Sequence, residues 1–207
     1  MTSRRSTVSH HSDRKAETHD RIVRQAAREF RGKGLLGIGI ADLMSKAGLT
    51  HGGFYAHFGG KDALIGEAAT CAAEESIEHL VAAAESAGRR SPVEAMLYYY
   101  LHPAHRDNPA EGCVLASLAQ EIARQPDVVR KAFTRSLKAH GARLARYMPG
   151  DSGEEKLQQF MFLISGMAGA LAIARAIAEP TLSNAWLASV RRQYAHAFRL
   201  MAKKKVP

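Results

Sequence analysis

The sequence breaks between two short helical segments near residue 48, and this break constrains the fold more than any other feature. Apolar residues recur with helical spacing over 40–47, and a second short helix is predicted over 51–58. Gly48 permits the positive φ that ends a helix, and the hydroxyl of Thr50 is a candidate cap for the next one. Two short helices joined by so tight a turn predict a helix-turn-helix over 39–58, the motif that places its second helix in the major groove of DNA.

The second of these helices is predicted to have one buried and one exposed face. Phe54 and Phe58 lie four residues apart, so both rings share a face and should anchor the helix to a core. The same spacing turns His51, Tyr55 and His57 towards solvent. The sequence therefore predicts a scaffold with polar side chains on its outer face.

The rest of the 207-residue chain is also predicted to be helical. Alanine, leucine, arginine and glutamate dominate it and runs of β-branched residues are scarce, which favours helices over strands. The fold class is therefore all-α, with about nine helices; Ser91 and Pro92 should begin one of them, and residues 102–111 should form a loop. The predicted organisation is a disordered basic arm, a three-helix domain, a second helical domain and a basic tail, over residues 1–17, 18–66, 67–202 and 203–207.

The charge of the chain limits the kinds of partner that it is expected to bind. The formal net charge is +9, and nine basic against four acidic residues place +5 in the first 33 residues. Such a balance suggests nucleic acid or an anionic membrane surface, or else a solvated basic surface without a partner. The arm residues Arg4, Arg5, Arg14 and Lys15 are candidates for contacts in the minor groove or with phosphates.

The number of cysteines and the lengths of the apolar runs indicate the cellular compartment in which the protein is expected. Two cysteines cannot make a disulfide framework, which favours a reducing cytoplasm. The basic N-terminus lacks the apolar segment of a secretory signal, and the apolar run over 160–173 is too short to span a bilayer. We therefore expect a cytoplasmic protein with no membrane partner. No metal or nucleotide pattern is present in the sequence, and no cofactor is expected.

The segment over residues 47–64 resembles a known family. Its pattern AGLTxGxFYxHFxxKxxL is similar to the DNA-binding signature of TetR-type transcriptional regulators. The resemblance implies a double-stranded DNA operator, phosphate contacts by Tyr55, His57 and Lys61, and base contacts by Thr50, His51 and Ala56. It also implies that the second domain binds a small molecule, whose identity the sequence does not reveal, and forms a homodimer. The function expected is that of a ligand-responsive repressor, and not of an enzyme.

Two departures from the family pattern weaken the base-reading face. Gly39 stands where a capping Ser or Thr is usual, and Gly53 replaces a side chain that often touches bases. With Gly52 and Gly53 adjacent, few side chains remain to read sequence directly. Specificity should then depend on close backbone approach at these glycines, on DNA shape and on the arm.

In the second domain the resemblance implies two sets of residues, for each of which plain core packing is the alternative. The candidate ligand pocket contains Met96, Tyr99, Tyr100, Leu115, Phe133, Met161 and Phe162. The candidate dimer interface on the last two helices contains Ile164, Met167, Leu171, Trp186, Val190 and Tyr194.

Cys113 supports one alternative switch. It lies near a predicted helix N-terminus, where the helix dipole favours a thiolate, so a redox or electrophile sensor is a second interpretation beside an ordinary buried thiol. Two functions of other classes stay open: a basic helical protein that binds nucleic acid or membrane without sequence preference, and an enzyme using Cys113 with a histidine. The second lacks an orienting acid at a known spacing.

Overall fold

The computed structural model describes the backbone of residues 4–203 and the side chains of residues 13–199. Within that backbone the regular elements are nine α-helices and two short 3₁₀ helices, without a strand, which confirms the all-α prediction. The 3₁₀ helix His51–Ala56 is called the recognition helix below, and the other is Pro109–Glu111. The α-helices are α1 (Arg4–Lys33), α2 (Ile40–Lys46), α3 (Lys61–Glu85), α4 (Pro92–Tyr100), α5 (Pro103–Asp107), α6 (Val114–Ile122), α7 (Asp127–Ala145), α8 (Gly153–Ala176) and α9 (Pro180–Lys203).

Helix α1 begins much earlier than the sequence suggested. Residues 4–17 form its first turns, so the prediction of a disordered arm is wrong for their backbone. The physical reason is that neither glycine nor proline interrupts the chain before Gly32, so nothing ends the helix. The side chains of Arg4 and Arg5, predicted to contact DNA, lie outside the described residues.

Local capping accounts for two further helix boundaries. As predicted, Ser91 begins α4: its hydroxyl accepts from the backbone N–H of Glu94, whose carboxylate accepts from the Ser91 N–H. The loop predicted over 102–111 instead contains α5 and the short 3₁₀ helix Pro109–Glu111. A ring nitrogen of His102 accepts from the Ala104 N–H and so caps the start of α5, a role that simple loop signals do not reveal.

Buried apolar side chains form two clusters. The N-terminal cluster joins α1, α2, the recognition helix and the first half of α3. The C-terminal cluster joins the second half of α3 with α4, α8, α9 and the end of α7. Helix α6 belongs to both, because Cys113 at its start packs in the C-terminal cluster while Leu118 and Ile122 pack in the N-terminal one. The two cores therefore meet along α6.

Helix α8 is long and apolar enough to cross a membrane, judged by length and composition alone. In the structure its residues Leu163, Met167 and Leu171 are buried in the C-terminal cluster. The central helix of a protein core passes the same test of length and composition. The sequence prediction that the apolar run is too short to span a bilayer concerned residues 160–173, whereas the helix that contains this run has 24 residues.

Candidate nucleic-acid interface and regulatory core

The turn of the helix-turn-helix is built as the sequence predicts. Gly48 has a φ of +72°, its N–H donates to Ser45 O at 2.9 Å, and the N–H of Leu49 donates to Met44 O at 2.8 Å. These bonds satisfy the last carbonyls of α2. Leu43 and Met44 are buried, so α2 is fixed to the N-terminal cluster and the turn directs the chain into the recognition helix.

The recognition helix is a 3₁₀ helix that ends at Ala56, two residues before the end of the short helix that the sequence predicted. Thr50 precedes it in an extended conformation, but its hydroxyl makes no capping hydrogen bond, so the predicted cap is wrong. The adjacent Gly52 and Gly53 explain the difference, because glycine costs an α-helix about 1 kcal/mol relative to alanine. The segment is therefore held in place by tertiary packing and not by helix propensity.

Two phenylalanines supply that packing. Phe54 is 0% exposed and Phe58 3% exposed, and their rings stack with centroids 5.4 Å apart. This confirms that both anchor the segment to the N-terminal cluster. The exposed residues of the recognition helix are therefore held in place by the packing of these two rings, although the helix is only six residues long.

The outer face presents most of the predicted DNA contacts. Tyr55 is 67% exposed, and His51, also exposed, lies edge-on to its ring at 6.3 Å. Thr50, Gly52 and Ala56 are exposed as well. Gly53 is half-buried, and a Cβ added there would lie 3.7 Å from the Met44 methyl group.

His57 is less accessible than the sequence suggested. It is half-buried, its ring lies 6.0 Å from the His19 ring of α1, and its Nδ1 is buried without a hydrogen-bond partner among the described residues. Burial lowers the pKa of His57, with a further contribution from the charges of His19 and Lys15. His57 is therefore expected to be neutral and to offer one N–H donor.

The start of α3 completes this surface. Lys61 is the first residue of α3 and is half-buried, next to backbone N–H groups that favour an anion. On α1, Arg14 and Lys15 are exposed. His19 stacks on Phe58 at 4.5 Å and donates to the Glu67 carboxylate at 2.6 Å, which ties α1, the recognition helix and α3 together.

A second set of contacts ties the turn after α1 to α6. The Leu35 N–H donates to the Glu121 carboxylate at 2.8 Å. Gly34, with φ +81°, leaves room for that carboxylate, since a Cβ there would lie 2.8 Å from it. Arg28 of α1 also pairs with Glu111 at 2.5 Å, just before α6. Displacement of α6 must therefore disturb the helix-turn-helix domain.

The residues predicted to form a ligand pocket do not come together. Met96 and Tyr100 are fully buried in the C-terminal cluster, while Tyr99 borders an open groove beside His79 and His105. Met161 and Phe162 lie on the outer face of α8, 54% and 45% exposed, and the pocket prediction is wrong for them. Helical periodicity explains this error, because the neighbouring Phe160 and Leu163 occupy the inner face.

Leu115 and Phe133 do line a small cavity between α3, α6, α7 and α8, which is partly open to solvent at Leu137. Its volume is about 20 Å³, room for roughly one water molecule. Cys113, Ser76 and His140 also line it, and the Ser76 hydroxyl donates to Ala72 O. In this conformation the cavity is too small for a ligand of several rings.

Cys113 is the residue before the first turn of α6 and is buried, but its side chain makes no capping hydrogen bond. Its N–H donates to His105 Nε2 at 3.1 Å, and His105 Nδ1 donates to Tyr100 O at 2.8 Å. Burial is the main reason that the pKa of His105 falls to about 4, so His105 is neutral and holds the loop before α6 in place. The hydroxyl of the buried Tyr100 lies close to Cys113, and burial raises the pKa of Tyr100 well above its ordinary value.

Sequence reasoning missed Arg175. Its guanidinium donates to three neutral acceptors: Arg106 O at 3.1 Å, His105 O at 3.0 Å and the Ser117 hydroxyl at 2.9 Å. Burial lowers the pKa of Arg175. The available signal was its position as the only charged residue between Lys156 and Glu179 in the sequence. Arg175 joins the loop containing α5 to α6 and α8.

Three predicted interface residues are buried within the chain itself. Ile164, Met167 and Leu171 pack in the C-terminal cluster, so the interface prediction is wrong for them and the core interpretation is right. Their face of α8 is turned towards the protein's own core. Val190 and Tyr194 are half-buried and pack against the same cluster.

Gly166 explains how α9 lies so close to α8. A Cβ at this position would lie 1.7 Å from the Tyr194 hydroxyl oxygen, so any larger residue would push the phenol away. The outer surface of these two helices still carries large apolar side chains. They are Met161, Phe162, Ile173, Leu182 and Trp186.

Comparison with known proteins locates the chain's relatives. Residues 22–68 match the family model described as bacterial regulatory proteins, tetR family. No curated protein matches the sequence. Among solved structures, a TetR-family transcriptional regulator from Cytophaga hutchinsonii is similar at 22% identity with a TM-score of 0.70, over 89% of this chain and 96% of that one.

Two further structures share the fold. A TetR regulator from Chloroflexus aurantiacus has 23% identity and a TM-score of 0.68, over 89% of this chain and 95% of its own. The reduced form of Escherichia coli NemR has 19% identity and a TM-score of 0.67, over 86% of this chain and 95% of its own. The likeness therefore extends from the helix-turn-helix domain through the second domain.

Proposed function

We propose that this protein is a dimeric, ligand-responsive transcriptional repressor, on the basis of the match of residues 22–68 to the family model of bacterial regulatory proteins, tetR family. It binds a near-palindromic operator in the cytoplasm and releases it when a small molecule binds the C-terminal domain. The DNA-binding helix-turn-helix and the all-α fold are the established part. Operator, dimer and ligand are the proposal, and no catalytic role is included.

The observation that carries the proposal is the contrast between the two faces of the recognition helix. Phe54 and Phe58 are buried, whereas Tyr55 between them is exposed and Lys61 follows at the start of α3. A phenol and an ammonium held on a rigid base are suited to donate to phosphate oxygens. His57 adds a neutral donor beside α1. These three residues position the protein on the duplex.

Base reading is assigned to the exposed start of the recognition helix. His51 offers an imidazole, and Thr50 and Ala56 offer a hydroxyl and a methyl group. Gly52 and Gly53 leave the backbone free to approach the groove. Since these groups are small, shape and deformability of the DNA should contribute much of the specificity.

Dimerisation is proposed through the outer face of α8 and α9. Its exposed apolar side chains include Phe162, Ile173, Leu182 and Trp186, whose burial against a second copy would remove them from water. A dimer places two recognition helices about one turn of DNA apart, as a near-palindrome requires. Ile173→Arg should convert the dimer into a monomer in sedimentation, while Val128→Arg on exposed α7 should not.

The decisive test of DNA recognition is selection of bound duplexes from a random pool. We expect enrichment of a palindrome. Tyr55→Phe and Lys61→Gln should each weaken binding to that duplex about ten-fold or less, and Lys61→Gln should lower the salt slope by about one unit. Arg130→Gln is the matched control, because it removes one positive charge from the exposed face of α7. Equal binding of selected and random duplexes would instead support a basic protein without sequence preference.

The N-terminal turns of α1 contribute separately. Arg14 and Lys15 are exposed, and Lys15 is close enough to His57 to lower its pKa. Deleting residues 1–15 should weaken DNA binding and flatten its salt dependence. Unchanged affinity and slope would remove the arm from the proposal.

A switch at Cys113 is the second candidate for regulation. Its thiol lines the cavity at the start of α6, close to the hydroxyl of the buried Tyr100. Oxidation or alkylation there would enlarge a side chain in a space of about 20 Å³ and displace α6. If oxidant releases DNA from Cys113→Ser as it does from the unmodified protein, this candidate is wrong. Cys71→Ser is the control, because burial raises the pKa of the Cys71 thiol to about 11.

A further inference from the structure

A continuous series of ring contacts runs from α1 to the base-reading end of the recognition helix. The imidazole of His19 on α1 stacks on Phe58 with centroids 4.5 Å apart, and Phe58 stacks on Phe54 at 5.4 Å. Phe54 lies edge-on to Tyr55 at 5.2 Å, and Tyr55 lies edge-on to His51 at 6.3 Å. His19 is therefore at one end of a series whose other end carries two of the proposed DNA contacts.

A hydrogen bond between side chains fixes His19 in this position. Its Nε2 donates to the Glu67 carboxylate of α3 at 2.6 Å, and its ring lies 6.0 Å from that of His57. The side chain of His19 is 27% exposed and that of Glu67 is 46% exposed. A hydrogen bond to a carboxylate is stronger than one between neutral groups. Glu67 thus holds the His19 ring against Phe58 and beside His57.

The recognition helix has few other features that fix its position. No side chain caps its N-terminus, it has only six residues, and two of them are Gly52 and Gly53. Its position therefore depends on the packing of Phe54 and Phe58, and the His19 ring covers one face of the Phe58 ring. Release of His19 would give this segment more conformational freedom, and ordering it again on DNA would cost binding free energy.

The attachment of α1 to the domain does not depend on His19. Ile22 and Phe30 on the same helix are 0% and 2% exposed, and the Arg31 guanidinium donates to the Glu75 carboxylate of α3 at 2.6 Å. These contacts hold α1 against α3 and the N-terminal cluster. A substitution at His19 should therefore change the recognition surface and leave the domain folded.

Electrostatics alone makes the opposite prediction for Glu67. Its exposed carboxylate is bonded to a ring that lies beside His57, one of the proposed phosphate contacts. A negative charge in this position repels phosphates, so its removal should strengthen DNA binding. If Glu67 instead acts by holding His19, its removal should weaken DNA binding. The sign of the effect separates the two roles.

We propose that His19 is a positioning residue for DNA recognition, and that Glu67 orients it through their hydrogen bond. This role rests on the proposed recognition of DNA through Tyr55, His57 and His51. His19 and Glu67 need not contact DNA themselves. They hold Phe58, and with it the recognition helix, in the arrangement that binds the duplex.

Two carboxylates of α3 form a matched pair for the test. Asp62 is exposed in the first turn of α3 and has no ion-pair partner among the described residues. Asp62→Ala should strengthen binding to the selected duplex about two-fold, because it removes a repelling charge that salt screens in part. Glu67→Ala should weaken binding about five-fold, because His19 loses its acceptor and the segment must be ordered on DNA.

Conservative variants separate the hydrogen bond from the charge. Glu67→Gln removes the charge and keeps an acceptor for the His19 N–H, so its affinity should be within about two-fold of that of the unmodified protein. His19→Phe keeps a ring on Phe58 without the hydrogen bond and should weaken binding about three-fold. His19→Ala removes both and should weaken binding about ten-fold. Circular dichroism establishes that each variant is folded.

The outcomes are distinct. Stronger binding in both Glu67→Ala and Asp62→Ala would show a charge effect only and would overturn the positioning role. If His19→Ala does not fold, His19→Phe decides, and an affinity equal to that of the unmodified protein would overturn the proposal.

The same variants are measured on random duplex at low salt. An unmodified protein that binds selected and random duplexes equally contradicts the proposed sequence recognition. The order of the variants on random duplex then tests the role of His19, because the recognition helix still has to be held for phosphate contacts.

Discussion

The N-terminal and C-terminal clusters use the same kinds of apolar side chain for different purposes. In the N-terminal cluster, rings such as Phe54 and Phe58 are buried, while Leu36 and Tyr55 of the same domain are exposed. In the C-terminal cluster, space remains at the edge near Cys113, and rings such as Phe162 and Trp186 are left at the surface. The first arrangement supports a fixed recognition surface. The second leaves a small space at the start of α6 and an apolar face exposed on α8 and α9.

The largest expected effect contrasts a buried with an exposed phenylalanine. Phe54→Ala should lower the free energy of unfolding by about 3–5 kcal/mol, because it removes a fully buried ring. Phe162→Ala removes a half-exposed ring that stacks on Tyr194, and should cost about 0.5–1.5 kcal/mol. Chemical denaturation measures both. Equal losses would show that the two clusters do not differ as described.

The second effect concerns pH and belongs to the C-terminal cluster. The pKa of His105 is about 4 in the folded chain, against an ordinary value of 6.5, so the unfolded chain binds more protons between these values. Stability from this residue is present above pH 6.5 and is lost as the pH falls towards 4, by about 3 kcal/mol at most.

His105→Gln removes the ionisable ring and should flatten this dependence. Denaturation midpoints at a series of pH values, compared with the unmodified chain, make the measurement. An identical slope in the two proteins would mean that other groups account for it.

The third effect tests the link between the clusters. Glu121→Ala leaves the Leu35 N–H without its carboxylate acceptor and should cost about 1–3 kcal/mol, together with some DNA affinity. Asp127→Ala removes only exposed ion pairs at the start of α7 and should cost less than about 1 kcal/mol. If Glu121→Ala leaves both stability and DNA binding intact, the clusters are not joined through this contact.

The smallest effects are of opposite sign within the helix-turn-helix. Gly48→Ala should destabilise the chain by about 1–2 kcal/mol, because φ at this residue is +72°. Gly52→Ala should stabilise it by about 0.4–1 kcal/mol, since φ is not positive there and an added Cβ meets nothing within 4 Å. Thermal melts of the two variants measure the pair. A loss of stability in Gly52→Ala would contradict the backbone described here.

Much of the helix-turn-helix could be predicted because its signals are local. Gly48 ends α2, Phe54 and Phe58 are buried, and Tyr55 is exposed, each as the spacing indicated. The cap at Thr50 was predicted wrongly, because two following glycines weaken the helix that it would have capped. These DNA contacts themselves stay predictions until binding is measured.

Predictions for the second domain were poorer, and α8 shows why. The helix carries apolar side chains on nearly every face, so its sequence does not distinguish Met167, which is buried, from Phe162, which is exposed. The roles of Arg175 and His105 depend on partners about 70 and 8 residues away in the chain. No local pattern contains such contacts.

The sequence by itself determined the helical class, the turn at Gly48 and the basic character of the first 33 residues, because each follows from residue type and short-range spacing. Only the tertiary structure decided which face of α8 is inside, that α6 contributes to both clusters, and that Arg175 joins the loop containing α5 to α6 and α8. Those features arise where helices distant in sequence pack together, and packing depends on shape complementarity that a one-dimensional pattern does not record.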